Sequence, residues 1–155
     1  MLEVGQRAPA FELQDQHGET VSLSEFDGQY VVLYFYPKAK TRGCSIEARG
    51  FRDHHAAFRD RDAVVVGVSA DPVEELAEFA EEETLPFRLL SDPDGEVGAA
   101  YDSYGEVEFR GETRESPFRN TYVVRTDGTI GAVYEDVTPE GHAEELLAKI
   151  DELRG

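Results

Sequence analysis

The chain contains one cysteine, Cys44, at the end of the run Pro37-Lys38-Ala39-Lys40-Thr41-Arg42-Gly43-Cys44. That run joins an apolar, β-rich segment to an amphipathic one, so the thiol falls in the first turn of a predicted helix. A helix N-terminus carries unpaired backbone N–H groups and a partial positive charge, and both favour thiolate over thiol. The chemistry such a position can support is nucleophilic attack by sulfur. It requires a lowered pKa, space for a small substrate and donors aimed at the charge that moves. The amides of Gly43 and Cys44 can stabilise the anion, and Gly43 has no side chain to obstruct a substrate. Thr41 offers a hydroxyl as donor or acceptor, and Pro37 can shield the site from water. The same residues have plainer readings: a lone cysteine is commonly a buried small hydrophobe, Thr41 fits an N-cap and Pro37 a strand terminator.

The elements that must position these residues follow from periodicity. Tyr30 to Tyr36 is continuous in apolar, β-branched and aromatic residues, as expected of a central strand buried on both faces and ended by Pro37. From Cys44 the positions 44, 48, 51, 55 and 58 recur at helical spacing, predicting a helix to about Arg61. Ala63 to Ser69 is a second buried strand. Asp71 reads as an N-cap with Pro72 at the first helical position of a helix that turns Leu76, Phe79 and Ala80 inward. Pro86 to Leu90 reads as a strand and Glu96 to Tyr101 as a short helix. Arg119 to Arg125 and Thr129 to Glu135 form a hairpin around Asp127-Gly128, and Pro139 to Leu153 is the closing helix. Phe11-Glu12-Leu13 and Val21-Ser22-Leu23 flank the turn cluster Asp15-Gln16-His17-Gly18 and read as an N-terminal hairpin or pair of edge strands. Segment 102–118 has no clear period and reads as a loop or a short strand. The order of elements predicts an α/β fold, a mixed sheet flanked by helices, with residues 1–155 forming a single domain.

Composition narrows the function classes. The 155 residues include 33 Asp and Glu against 15 Lys and Arg, a net charge of −18, and lysine occurs only at 38, 40 and 149. Such a field repels phosphate backbones and anionic lipid head groups, so neither nucleic acid nor a membrane surface is an expected partner. No run approaches a membrane span, the N-terminus lacks the pattern of a secretory signal, and the chain reads as cytoplasmic. A lone cysteine permits neither an intrachain disulfide nor a multi-thiolate metal site. His54 and His55 are adjacent and point about 100° apart on a helix, while His17 and His142 read as turn residues, so no metal is expected. The acidic run from Glu74 to Glu83 reads as a solvated helix face.

Pro37, Thr41 and Cys44 match the Pro-x-x-x-Thr-x-x-Cys signature of the peroxiredoxins. Leu33-Tyr34-Phe35-Tyr36-Pro37-Lys38 and Gly50-Phe51-Arg52-Asp53 resemble the bacterioferritin-comigratory-protein (thiol peroxidase) branch. The resemblance runs from Gly5-Gln6-Arg7-Ala8-Pro9-Ala10-Phe11 through Arg119-Asn120-Thr121-Tyr122-Val123-Val124 to the last helix. It implies a thioredoxin-like fold and a thiol-dependent peroxidase without a bound cofactor, acting on hydrogen peroxide or small organic hydroperoxides. It further implies that Cys44 is the peroxidatic residue, that Thr41 and Pro37 shape the peroxide pocket, and that Arg119 completes it, with Gly43, Thr41 and Arg119 contacting substrate. A guanidinium beside a thiolate favours the charged form and can hold the peroxide oxygens.

The chain departs from that branch at three places. Arg49 occupies the position where many members carry a resolving cysteine, so a Cys44 sulfenic acid requires an external thiol, from a thioredoxin-like protein or a small molecule, as in one-Cys members. Arg42 replaces a proline, and either adds charge near the sulfur or faces solvent. Ala10 stands where an aspartate is usual. A redox sensor or thiol-transfer module with slow Cys44 oxidation is the main competing reading, and a non-catalytic scaffold is another. A thiol–disulfide oxidoreductase lacks its second cysteine. Monomer and homodimer are both open.

So large an acidic excess solubilises a chain, and it also suits a saline cytoplasm, where salt screens self-repulsion. On the halophilic reading, thermal melts in a KCl series should show a melting temperature that keeps rising into the molar range. A plateau at a few hundred millimolar contradicts it.

Overall fold

The computed structural model describes residues 1–155, with the side chains of all of them except Phe109. Nine strands and five α-helices follow in the order β1 (Glu12–Asp15), β2 (Thr20–Ser22), β3 (Tyr30–Phe35), α1 (Arg42–Asp53), α2 (His55–Arg59), β4 (Ala63–Ser69) and α3 (Val73–Glu83). They continue with β5 (Arg88–Ser91), α4 (Glu96–Ala100), β6 (Tyr104–Phe109), β7 (Glu112–Pro117), β8 (Thr121–Val124), β9 (Ile130–Tyr134) and α5 (His142–Arg154), and a 3₁₀ turn spans Leu23–Phe26. Seven strands form one mixed sheet in the order β2-β1-β5-β4-β3-β8-β9, and β6 and β7 pair separately.

Strand β3 lies inside the sheet, parallel to β4 and antiparallel to β8. Its alternate side chains enter opposite layers, as the two-residue repeat of a strand requires. Val32 and Tyr34 pack with Cys44, Ala48, Phe51, Phe58, Leu76 and Phe79, beneath the helices. Val31, Leu33 and Phe35 pack with Phe11, Phe26, Tyr101, Tyr122 and Val124 on the other side. Burial on both faces explains the unbroken apolar run. Cys44 therefore belongs to the floor of a helix layer, with a side chain from the middle strand close by.

Four expectations change. The helix read as continuous from 44 to 61 begins earlier, at Arg42, and breaks at His54, whose φ of −108° and ψ of 11° separate α1 from α2. Pro72, not Asp71, is the residue capping α3, because the Asp71 carboxylate is turned away from the helix and engaged elsewhere. His142 is no turn residue: it opens α5, 2% exposed, with Nε2 2.9 Å from Thr121 Oγ1 and Nδ1 2.8 Å from a Glu145 oxygen. Burial holds its pKa below the usual histidine value, against the opposing pull of Glu145.

Segment 102–118 is the fourth. It is a β-hairpin, β6 with β7, turned at Arg110 and Gly111, whose φ values of 54° and 80° suit the primed turns that match strand twist. Gly105 lets it dock, since a Cβ there would sit 2.9 Å from the Phe118 ring.

The acidic helix α3 is not simply solvated. Glu75 and Asp71 lie 3.8 and 3.5 Å from Lys38, while Lys40 pairs with Glu78 and lies 4.0 Å from Glu82. Arg49 makes a two-pronged contact with Glu83, at 2.7 and 3.0 Å, and Arg52 donates to the Glu83 carbonyl at 2.8 Å. The carboxylates of α3 thus meet cations of the segment that carries Cys44. Among the described residues, no helix is long and apolar enough to cross a membrane.

Candidate active site

Thr41 is the N-cap of α1, with φ −76° and ψ 158°, which places Cys44 in the first helical turn. The hydroxyl of Thr41 does not cap the helix. It donates to the Lys38 carbonyl at 2.8 Å and so closes the loop 38–41 on itself, leaving its lone pairs as acceptors. Pro37, Thr41, Gly43 and Arg119 all line one groove of about 1000 Å³, whose opposite wall includes Val107 and Phe118 near the β6–β7 hairpin. Cys44 lies under this groove, 1% exposed. Arg42 is exposed, and it is Arg119 that reaches the sulfur.

Arg119 stands two residues before β8, where the chain is pinned from several sides. Its carbonyl accepts from the Val137 amide at 2.8 Å, and the Asn120 carbonyl accepts from Phe35 N–H at 2.8 Å. The Asn120 side chain donates to Ser103 Oγ at 3.0 Å and accepts from the Asp136 amide at 3.0 Å. From this fixed origin the guanidinium crosses the first turn of α1. Nη2 donates to Cys44 Sγ at 3.5 Å and Nη1 donates to Glu47 Oε1 at 2.9 Å. Gly43 permits the crossing, because a Cβ at that position would meet Nη2 at 3.0 Å. Burial works against the charge on Arg119, but its interactions with Cys44 and Glu47 outweigh it and hold the pKa above the ordinary guanidinium value.

Glu47 was not among the residues expected at the site. It is three residues after Cys44, one helical turn, and its side chain is fully buried. Its other oxygen, Oε2, has no hydrogen-bond partner among the described residues. Burial pushes its carboxyl up to about 7, and Arg119 pulls in the opposite direction without prevailing. The detectable signal was a carboxylate on the apolar stripe 44–48–51, where a solvated residue does not belong. Asp71, which the sequence alone presents as a cap, also serves the site's surroundings. It is 5% exposed and accepts from the Ala39 amide at 2.7 Å, holding the loop between Pro37 and Thr41.

The arrangement gives one sulfur a cationic donor, a helix N-terminus and an adjacent groove. Among the described residues no group of three or more His, Cys, Asp or Glu converges as a metal site. Gly50 and Arg49 line a separate hollow of about 250 Å³ beside α5.

The pKa of Glu47 makes a stability prediction. A carboxyl that binds its proton more tightly folded than unfolded favours the folded state most at low pH, and that contribution is lost as pH rises from the ordinary 4.5 through about 7. Glu47→Gln removes the effect. The unfolding free energy of the variant relative to the wild type should therefore rise by about 3 kcal/mol between pH 4.5 and pH 8. A difference independent of pH contradicts the assignment.

Comparison with known proteins places the chain in a family and a fold. Residues 4–133 match the model of the AhpC/TSA family. Peroxiredoxin Bcp of Bacillus subtilis is 39% identical over 152 residues, covering 98% of this chain and 97% of its own. Peroxiredoxin Bcp of Escherichia coli is 41% identical over 146 residues, covering 94% of each chain. The crystal structure of peroxidoxin BcpB from Mycobacterium tuberculosis superimposes with a TM-score of 0.89 at 35% identity, covering 100% of both chains. Bacterioferritin comigratory protein of Xanthomonas campestris, studied for its alkyl peroxide reduction, gives a TM-score of 0.91 at 27% identity over 99% of this chain and 100% of its own. The fold is thus the thioredoxin-like fold of these structures. With the family model spanning most of the sequence and the relatives nearly all of it, the chain belongs to the AhpC/TSA family as a thiol-dependent peroxidase of the peroxiredoxin Bcp type.

Proposed function

We propose that Cys44 is the peroxidatic residue of a one-Cys cycle on hydrogen peroxide and small organic hydroperoxides. The reading rests chiefly on Arg119 Nη2 lying 3.5 Å from Cys44 Sγ at the first turn of α1. The thiolate attacks one peroxide oxygen, forming an S–O bond as the O–O bond breaks. The departing hydroxide or alkoxide takes a proton from solvent, and Cys44 is left as sulfenic acid. Arg119 and the amides of the first turn supply donors for the charge that passes from sulfur to the leaving oxygen. Thr41 Oγ1, whose proton is committed to Lys38, is set to accept from the peroxide O–H. Pro37 covers the strand end beside it.

A second cysteine is absent from the chain. The sulfenic acid is therefore attacked by an external thiol, which expels water and forms a mixed disulfide, and a second thiol releases Cys44. Arg49, in the resolving position of many relatives, is instead bound to Glu83. A thiol that must stay reduced to work suits a cytoplasmic setting. At 1% exposure the sulfur favours small oxidants, and a bulkier thiol reaches it only when the loop above opens.

Stopped-flow oxidation coupled to intact-mass analysis tests this. One equivalent of peroxide should add a single oxygen to the chain, candidate thiols should convert it to a mixed disulfide, and Cys44→Ser should lose all turnover. A second-order rate no greater than that of a free thiolate would favour a slow redox sensor. Gly43→Ala should push the guanidinium off the sulfur by a few tenths of an ångström and slow oxidation by about tenfold, with the melting temperature falling to the extent that the Glu47 pair is loosened as well.

A further inference from the structure

Three features of the Pro37–Thr41 loop converge on one side chain. The loop has no regular secondary structure, and Lys40 takes a φ of 71°, an unfavourable conformation for a residue with a Cβ. Its midpoint, Ala39, is 4% exposed, and the Ala39 amide donates to Asp71 Oδ2 at 2.7 Å across 32 positions of sequence. The same oxygen accepts from Ser69 Oγ at 2.8 Å, and Oδ1 lies 3.5 Å from Lys38 Nζ. Asp71 is itself held in place, because its carbonyl accepts from Ser91 Oγ at 2.7 Å and Ser69 is fully buried at the end of β4.

We infer that Asp71 is a positioning residue for the peroxidase site: anchored on β4 and β5, it fixes the loop that presents Pro37 and Thr41 over Cys44. The inference rests on the one-Cys reading above for its kinetic consequence but not for its structural one. The carboxylate makes no hydrogen bond to the sulfur, although Asp71 lines the same groove as Pro37, Thr41 and Arg119. It acts through the amide of Ala39, the one buried residue of the loop, which finds its acceptor outside the loop. With that acceptor gone, the bond from Thr41 Oγ1 to the Lys38 carbonyl ties the loop only to itself, and the acceptor for the peroxide is no longer fixed relative to the sulfur. Misplacements of about 1 Å in such constellations cost up to about a hundredfold in rate.

Asp71→Ala and Asp71→Asn separate position from charge. Asparagine keeps an oxygen for the Ala39 amide and gives up the charge that faces Lys38, whereas alanine gives up both. Oxidation of Cys44 by hydrogen peroxide should slow by about tenfold or more in Asp71→Ala and by no more than about threefold in Asp71→Asn. The thiolate titration of Cys44, followed by its ultraviolet absorbance, should stay at the wild-type midpoint in both. Amide hydrogen exchange of residues 38–43 should accelerate in Asp71→Ala and remain near wild type in Asp71→Asn, whether or not the chain turns over peroxide. Equal losses in the two variants, a shifted thiolate titration, or unchanged exchange in Asp71→Ala would overturn the inference. Should Asp71→Ala fail to fold, Ser69→Ala provides the second reading. It removes one of the bonds orienting the carboxylate, and should accelerate exchange in the same residues; unchanged exchange there counts against the role. A wild-type protein that oxidises slowly defeats the peroxidase reading alone, since the exchange measurement still decides the role of Asp71.

Discussion

One guanidinium holds the centre of this molecule. Arg119 is shared between Cys44 Sγ and Glu47 Oε1, so a single cation serves two groups taken out of water on one helix. A buried carboxylate without a partner is expensive, and breaking such a pair by removing one member typically costs about 3–5 kcal/mol. Glu47 therefore constrains Arg119 as much as Arg119 stabilises Glu47. The constraint extends outward: the crossing of the helix requires Gly43, the origin of the side chain requires the bonds around Asn120, and the helix must begin at Arg42 to put the thiol in its first turn. The competition leaves Glu47 near 7, so its proton is exchanged under ordinary conditions, and the charge beside the sulfur is set by a carboxyl as well as a guanidinium.

Around this buried pair lies an exposed one of different character. In a chain of net charge −18, two of three lysines and two arginines of the Cys44 segment face the carboxylates of α3. Exposed pairs contribute only about 0–1 kcal/mol each and weaken with salt. Their value here is placement: they bring α1 and the preceding loop against α3 without demanding apolar surface from a loop that has little. The buried interactions then decide atomic positions, namely Asp71 on the Ala39 amide and Arg119 on the sulfur.

Much of the architecture was legible because periodicity reports burial. Strand β3 is buried on both faces and reads as an uninterrupted apolar run, and the stripe through Cys44, Ala48 and Phe51 reads as a helix face. The β6–β7 hairpin escaped notice because it stands outside the main sheet, with most of β7 exposed, and no core imposes a pattern on it. Pro37, Thr41 and Gly43 are legible from their places around Cys44, and Arg119 only through the family resemblance, and the four line one groove. Asp71 was misread for a physical reason. An aspartate before proline at a helix start is a sound local cap, yet the unsatisfied amide of Ala39, far away in sequence, was the stronger claim on its carboxylate. No local pattern carries that information. Glu47 was different, since a carboxylate on an apolar stripe is a visible anomaly whose partner alone was hidden.

The placement of the sulfur imposes an asymmetry on the proposed cycle. Cys44 is 1% exposed and its neighbour Gly43 lines the groove, so a molecule of two or three heavy atoms demands less rearrangement to reach the sulfur than a thiol carried on a larger molecule, which meets the loop from Pro37 to Thr41. Oxidation and resolution therefore ask opposite things of the same segment. The first step gains from a loop held rigidly by Asp71 and from Arg119 on the sulfur; the second requires that both be given up. In a chain with its own resolving cysteine at position 49, the departure would be repaid within the molecule. Here that position is an arginine gripping Glu83, so the segment has a reason to stay closed until an outside thiol arrives. Beside those buried bonds the segment is held by exposed ion pairs to α3, so salt, which weakens such pairs, should weigh more on resolution than on peroxide attack.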